Sequence, residues 1–488
     1  MNERRKIKKI NKERKKINTS RIINQDIIKV SVFFCILAAA LIVYLCVFLT
    51  FDASNVINNP YNKRTESFKK IVKRGNIYAA DGQTLAYSEV NDKVETRYYP
   101  FGNLFAHVVG FEDFGGLGLE SSYNFYMLTT HTNMFEKISN EFNGVKNPGD
   151  SINTTLDVNL QRFIYDTFGT LRGGVIALDP SNGHVYAMVS KPDFDPNTLA
   201  QNWESISQDT QNSVLVNRVT QGQYTPGSTF KLFTLNEFIN QNPNYESFTF
   251  DCEGTVHVDE GIDINCYNFN SHGHETLKEA FAYSCNCAFS NIGLTLNIDK
   301  FRKTNEKLLF NQPLPIDIAY NSSAFNLKND ESRFMIMETA FGQGETVTNP
   351  LHLALVMSAI ANDGVLMTPH MVTSTINDAG NIIEQFPDSK YTRLFSKEQA
   401  AKLREYLRAV VEAEYTMQMN SDIYTAYGKT GTAETLSTKA EQINNSWFVG
   451  FAEKDGQKLV VCAIIENVNE NEITSAVVTK NIFDYYFQ

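Results

Sequence analysis

The eight residues YTPGSTFK, Tyr224–Lys231, place a serine and a lysine three positions apart, directly after a Pro-Gly pair. Proline and glycine disfavour a helix before Ser228, and the residues TFKLFTLNEFI after it have helical periodicity. We therefore predict that Ser228 lies at a helix N-terminus with Lys231 on the same face. The pair is either a helix cap with a solvated lysine or a nucleophile with its base. The motif alone does not decide, since Ser67 and Lys70 repeat its spacing in a basic stretch.

Two further motifs favour a nucleophilic serine. Ser284-Cys-Asn286 lies in the helical pattern AFAYSCNCAFSNIG, and Lys429-Thr430-Gly431 lies in the strand-like stretch YGKTGTAET. Each motif is weak alone. A serine and lysine pair, then Ser-x-Asn, then Lys-Thr-Gly, in this order, is the set used by serine acyl-transferases that react with penicillin.

These residues divide the chemistry of acyl transfer among them. We predict that Ser228 attacks a carbonyl, that Lys231 takes its proton, and that Ser284 passes the proton to the leaving amine. Lysine can be this base only if burial or nearby positive charge lowers its pKa well below about 10.4. The predicted contacts with the substrate are Asn286 with its amide, Lys429 and Thr430 with a free carboxylate, Gly431 with the bound chain at close approach, and the N–H groups of Ser228 and Thr432 with the oxyanion.

The N-terminal region has the charge pattern of a membrane anchor. Residues 1–29 carry eleven Lys/Arg and three Asp/Glu, and the 22 residues Val30–Phe51 carry no charge. At about 1.5 Å per residue the uncharged run is about 33 Å long, enough to cross a bilayer, and it exceeds the roughly 7–15 apolar residues of a signal peptide. We predict a cytoplasmic tail over 1–29, an uncleaved transmembrane helix over 30–51, and the body of the protein outside.

The rest of the chain predicts two domains. Its formal charge of −19 argues against nucleic acid as a partner. Short strand-like pieces predict a small strand-rich domain over 52–150, followed by a second domain over 151–488. The patterned segments of the second domain are the hairpins 173–190 and 444–468 and the helical stretches 228–310 and 396–419. We predict an α+β fold in which an antiparallel sheet, assembled from the two ends of this domain, is flanked by helices beside a separate helical block.

Two cysteines in the second domain leave alternatives open. Cys252 and Cys266 flank a loop that we place on the outer side of the membrane, where a disulfide can form. A metal site made by this pair with His272 and His274 has a spacing that fits no usual zinc pattern. We therefore predict no metal and a structural role for both histidines.

With these motifs, the chain resembles a class B penicillin-binding protein, a membrane-anchored D,D-transpeptidase of peptidoglycan synthesis. Further segments that resemble this family are RGNIYAADGQTLA at 74–86, Gly118-Leu-Glu120, Tyr123-Asn124, TLDVNLQ at 155–161, GGVIALDPSNGHVYAMVS at 173–190 and Phe341-Gly-Gln-Gly344. The resemblance implies the penicillin-binding transpeptidase fold, with 52–150 as a short pedestal domain. It also implies a stem peptide ending in D-Ala-D-Ala as donor, β-lactams that acylate Ser228, no cofactor, and cell-wall synthesis partners at the pedestal and membrane helix.

The same site also fits other outcomes. In a D,D-carboxypeptidase or a β-lactamase, water replaces the acceptor amine, and the sequence identifies no base that would activate this water. A β-lactam-sensing receptor would need a larger intracellular part than a tail of 29 residues. The anchor and pedestal favour the transpeptidase.

Overall fold

A computed structural model describes residues 2–48, 63–92, 94–259, 261–413, 419–434, 444–468 and 473–488. The chain divides into two compact units, Met1–Asn62 and Lys63–Gln488. The first unit contains helix α1, whose segment Ile27–Val47 is long and apolar enough to cross a membrane. The predicted span at 30–51 overlaps this segment, and its last three residues lie outside the described part of the chain.

The second unit combines helices and strands. In chain order the described helices α1 to α15 are Asn2–Val47, Lys63–Ile71, Gly118–Ser122, Asn124–Met127, Met134–Asn143, Val158–Phe168, Leu199–Gln208, Lys231–Gln241, Leu277–Ala282, Asn286–Thr295, Ile298–Lys307, Arg333–Ala340, Pro350–Ala361, Lys397–Glu412 and Ser475–Phe487. The described strands β1 to β19 are Val72–Lys73, Ile77–Tyr78, Thr84–Asn91, Val94–Tyr98, Asn147–Pro148, Ser151–Thr154, Gly173–Leu178, Val185–Lys191, Thr249–Cys252, Thr255–Asp259, Ile262–Asn265, Gly273–Thr276, Val365–Met367, Val372–Ile376, Ile382–Gln385, Lys390–Arg393, Thr425–Glu434, Asn444–Lys454 and Gln457–Val468.

A five-stranded sheet forms the centre of the second unit. Its strand order is β17-β18-β19-β7-β8, and every neighbouring pair is antiparallel. This confirms the predicted sheet made from two distant chain segments, including both hairpins. The turn between β18 and β19 contains Asp455 and Gly456 with φ of 51° and 85°, the left-handed pair that a tight hairpin requires.

Both faces of this sheet are covered by helices. Along β7, Val175 and Ala177 pack into one cluster with residues of α6 and α15, whereas Ile176 and Leu178 belong to the larger core that includes α13. Every residue of α13 is buried. Helix α6 begins at Asp157, whose carboxylate accepts two backbone N–H bonds, as expected for an N-cap. The predicted flanking of the sheet by helices is confirmed.

A second, six-stranded sheet has the order β15-β14-β6-β2-β3-β4. Strand β6 pairs with β2 in parallel and with β14 antiparallel. Because β6 is Ser151–Thr154, the predicted domain boundary at 150 falls between hydrogen-bonded strands. The division into 52–150 and 151–488 therefore stays a prediction.

A buried ion cluster connects the short motifs before residue 150. Arg74 donates from Nε to Glu120 at 2.6 Å, and Arg97 donates to the other carboxylate oxygen at 2.8 Å. Arg74 also donates to Asn124. Arg74 and Glu120 are each about 1% exposed, so each of these charges depends on its partner. The motifs that resemble a pedestal thus converge on one network.

The helical prediction for 228–310 is wrong over residues 249–276, named here the Cys/His segment. This segment forms two small antiparallel sheets, β9 with β12 and β10 with β11. Gly254 and Gly261, with φ of 91° and 77°, lie between its strands, where left-handed turns interrupt any helix. Helices α8 to α11 confirm the prediction on either side of the segment.

Candidate active site

Ser228 lies in a short 3₁₀ turn, Gly227–Phe230, that leads directly into α8. We call Gly227–Phe230 the nucleophile turn. Gly227 has a φ of +55°, its N–H donates to the carbonyl of Gly342 at 2.9 Å, and an added Cβ would lie 2.4 Å from the carbonyl oxygen of Thr432. Only glycine fits there. The serine is therefore at a helix start, as predicted.

Lys231 brings the first two motifs together. Its Nζ lies 3.0 Å from Ser228 Oγ, 3.1 Å from Ser284 Oγ and 2.7 Å from Asn286 Oδ1. It also donates to the backbone carbonyl of Ser284 at 2.6 Å. The lysine is fully buried, which excludes the solvated cap as an interpretation of this motif.

Lys429 adds the third motif from strand β17. Its Nζ donates to Ser284 Oγ at 3.0 Å and to the backbone carbonyl of Thr430 at 3.2 Å. Ser284 lies between α9 and α10 with a φ of 59°, a left-handed conformation that turns the chain between the two helices. Its hydroxyl therefore contacts both lysines, and the three motifs form one pocket.

The two lysines depress each other's charge. Burial lowers the pKa of Lys231 to about 8. Burial and the charge of Lys231 hold the pKa of Lys429 well below its usual range. Two buried ammonium groups that share one hydroxyl are unfavourable when both are charged, so the pair titrates as a unit. The pocket thus favours a neutral lysine that can take the proton of Ser228.

Gly431 has a role that differs from the predicted one. A Cβ on this residue would lie 2.9 Å from Thr229 Cγ2 and 3.2 Å from the Pro226 carbonyl oxygen. The glycine therefore lets strand β17 pack directly against the nucleophile turn. Thr430 is half-buried and Thr432 is exposed on the same strand, which lies at the edge of the five-stranded sheet.

Asn286 is engaged at both ends of its amide. Its Oδ1 accepts from Lys231, and its Nδ2 donates to the backbone carbonyl of Asn265 at 2.9 Å. Asn265 and Gly342 position the site but are missing from the sequence prediction. The Gly-Gln-Gly motif gave a signal for Gly342, whereas a backbone carbonyl such as that of Asn265 leaves none.

Four side chains beside Ser284 could hold a metal ion. They are named here the thiol–imidazole cluster and are Cys252, Cys266, His272 and Cys285, whose ligand atoms all lie within 4.8 Å of one another. The set considered from sequence was wrong in including His274, which is exposed and pairs with Asp251 at 2.7 Å. The two cysteines considered for a disulfide are free thiols with sulfurs 3.8 Å apart.

The chain matches two families of known proteins. Residues 173–484 match the penicillin binding protein transpeptidase domain, and residues 74–152 match the penicillin binding protein A dimerisation domain. The peptidoglycan D,D-transpeptidase PbpA of Mycolicibacterium smegmatis is 29% identical over 471 residues, which cover 91% of this chain and 94% of that protein. The peptidoglycan D,D-transpeptidase MrdA of Acinetobacter baumannii is 26% identical over 449 residues, which cover 80% and 66%.

Solved structures extend the similarity to the fold. Penicillin-binding protein A from Mycobacterium tuberculosis, as an imipenem acyl-enzyme complex, has a TM-score of 0.77 at 26% identity, with 86% of this chain and 100% of that chain covered. A D,D-transpeptidase domain from Eggerthella lenta has a TM-score of 0.75 at 28% identity, with 85% and 98% covered. Sequence and structure comparisons therefore agree over most of the chain.

Proposed function

Because the chain belongs to the penicillin-binding protein transpeptidase family, we infer that it is a D,D-transpeptidase that crosslinks peptidoglycan through an acyl-enzyme on Ser228. Its fold is that of the solved penicillin-binding transpeptidases, as the sequence predicted. One observation carries the assignment of residues: the buried Nζ of Lys231 contacts Ser228, Ser284 and Asn286 together.

Acylation uses these contacts in sequence. Ser228 Oγ attacks the carbonyl carbon between the two D-Ala residues of a stem peptide, and neutral Lys231 takes the hydroxyl proton across 3.0 Å. The tetrahedral intermediate then collapses, the C–N bond breaks, and the proton passes by way of Ser284 to the leaving amine of D-Ala. The product is an ester on Ser228.

Deacylation reverses the proton path. An amine of a neighbouring stem peptide attacks the ester, and its proton returns by way of Ser284 and Lys231 to Ser228 Oγ as the C–O bond breaks. The amine thereby becomes the new amide crosslink. A β-lactam follows only the first half of this scheme, because its ring opens without losing a leaving group and the acyl-enzyme persists.

The edge of β17 binds the donor peptide in this proposal. A donor carboxylate near Lys429 and the hydroxyl of Thr430 stabilises the charged form of Lys429, which leaves Lys231 neutral as base. The backbone N–H groups of Ser228 and Thr432 form the oxyanion hole, where one lost donor typically costs about 3–4 kcal/mol of transition-state stabilisation. Asn286 orients Lys231 and remains a predicted contact for the substrate amide.

The remaining regions place this chemistry at the membrane. The basic tail 1–29 lies in the cytoplasm, the apolar part of α1 anchors the chain, and the acidic body lies on the other side. Residues 52–150 act as the pedestal, which the match of 74–152 to a dimerisation domain supports. Cell-wall synthesis proteins bind at the pedestal and the anchor.

The test uses full-length protein in detergent and a fluorescent penicillin, with adduct formation followed by intact mass. We expect a single adduct that persists for hours and is absent in Ser228→Ala. Ser67→Ala is the matched control, because Ser67 and Lys70 repeat the spacing on exposed helix α2. No adduct on a folded protein would refute the function, and turnover within seconds would make the chain a β-lactamase.

A further inference from the structure

The thiol–imidazole cluster has the dimensions of a tetrahedral zinc site. The sulfurs of Cys252 and Cys266 are 3.8 Å apart, those of Cys266 and Cys285 are 3.7 Å apart, and Cys252 Sγ is 3.4 Å from Nδ1 of His272. With Zn–S of about 2.3 Å and Zn–N of about 2.0–2.1 Å, a regular tetrahedron has sulfur–sulfur edges of about 3.8 Å and sulfur–nitrogen edges of about 3.6 Å. A disulfide instead needs its sulfurs at about 2.05 Å.

The backbone around the cluster favours thiolates. The N–H of Gly254 donates to Cys252 Sγ at 3.4 Å, and the N–H of Ala288 donates to Cys285 Sγ at 3.3 Å. Cys285 is also the N-cap of α10, where the positive end of the helix dipole stabilises a thiolate. Such N–H donors to ligand sulfurs are typical of the outer shell of metal sites.

The surroundings also require a positive charge. The three sulfur ligands are buried, and so is the neighbouring Glu275, at about 1% exposure. Neither carboxylate oxygen of Glu275 has a hydrogen-bond partner among the described residues, although it lies close enough to Cys285 and His272 to interact electrostatically. A buried unpaired anion beside thiolates is costly, and a divalent cation among them compensates it.

We propose that the thiol–imidazole cluster binds a structural zinc ion that fixes the Cys/His segment against the catalytic pocket. Four protein ligands complete a tetrahedral shell and leave no position for substrate, and three thiolates with one imidazole favour zinc over hard cations such as magnesium. Binding releases one proton to solvent from each of the three thiols.

The zinc ion acts on the pocket through Cys285, which lies between two residues that contact Lys231. It also holds Cys266, whose neighbour Asn265 accepts the hydrogen bond from the Asn286 amide. The Cys/His segment has only two-stranded sheets, which are marginally stable on their own. The ion therefore positions Ser284 and Asn286 without touching the substrate.

The first test measures zinc in the full-length protein, purified in detergent without chelator, by inductively coupled plasma mass spectrometry. We expect about one zinc per chain in the wild type and less than about 0.1 in Cys266→Ser and in His272→Ala. Cys287→Ser is the matched control and keeps its zinc, because this sulfur lies 3.5 Å from Cys266 yet outside the cluster. A wild type without zinc, or one with a disulfide by intact mass, would overturn the proposal.

A second measurement does not depend on the folding of variants. After chelation, the wild type is titrated with Co²⁺, which we expect to give the intense visible and near-ultraviolet bands of tetrahedral thiolate coordination. Only the weak bands of octahedral Co²⁺ would refute the assigned ligands. The Cys287→Ser variant should give the wild-type spectrum.

A third measurement tests the connection to the pocket. Chelation should slow penicillin labelling by about tenfold, with recovery on addition of Zn²⁺. Ser228→Ala should keep its zinc while losing all labelling, so the zinc site and the proposed function can fail separately. An unchanged labelling rate in zinc-free protein would refute the positioning role.

Discussion

The catalytic pocket and the Cys/His segment are neighbours in the fold but differ in how far the sequence predicted them. In the pocket, Ser228, Ser284 and Lys429 come from three distant parts of the chain and meet around Lys231. In the Cys/His segment, the predicted helix and the proposed ligand His274 were both wrong. The difference follows from where the constraints act. Each pocket motif includes its own backbone requirement, whereas the ligands of the cluster converge only after the strands have paired.

Replacing Lys231 with Ala should have the largest effect on this comparison. Without the base, the hydroxyl of Ser228 keeps its proton, and the rate of penicillin acylation should fall by about three orders of magnitude. The measurement is the second-order rate constant for labelling of the full-length protein. Normal labelling would refute the lysine as base and would reduce the pocket to a coincidence of spacing.

The same contrast explains which parts of the fold were predictable. The nucleophile turn was predictable because Pro226 and Gly227 interrupt the backbone directly before a helical pattern, and the two long hairpins were predictable from their turn residues. The six-stranded sheet was not, because β6 has four residues and its partner β14 lies more than two hundred positions away. Short strands have no periodicity that could encode such pairing. Lys429 was expected to carry a positive charge, but its burial beside Lys231 could be seen only in three dimensions.

Gly342→Ala tests whether the backbone requirement of the pocket is real. A Cβ at this position would lie 1.9 Å from the Gly227 carbonyl oxygen, and its φ is +93°. We expect the free energy of unfolding to fall by about 3 kcal/mol or more, since steric overlap adds to the cost of a left-handed alanine.

Gly456→Ala is the matched control for this substitution. Gly456 has a φ of +85° but open space around it, so only the conformational cost of about 1–2 kcal/mol remains. Urea unfolding measures both variants, and the rate of penicillin labelling should fall only in Gly342→Ala. Equal losses of stability would show that the close approach to the nucleophile turn adds nothing.

The pH dependence of acylation should sharpen the role of burial in the pocket. The pKa of Lys231 is lowered to about 8, and the neutral form is the base, so the acylation rate should rise with pH. It should be half-maximal near pH 8 and fall about tenfold per unit below that value. The measurement is the labelling rate between about pH 6 and pH 9.5. A rate that is constant below pH 8 would mean that a different group takes the proton.

His274→Ala should have the smallest effect and decides between the two ligand sets. His274 and its partner Asp251 are 66% and 84% exposed, and exposed ion pairs contribute about 0–1 kcal/mol. We therefore expect unchanged zinc content and labelling, and a change in the free energy of unfolding of at most about 0.5 kcal/mol. His272→Ala, two residues away, should lose the metal. If His274→Ala lost as much zinc as His272→Ala, the ligand spacing considered from sequence would be the better description, and the strand pairing that separates the two imidazoles would be wrong.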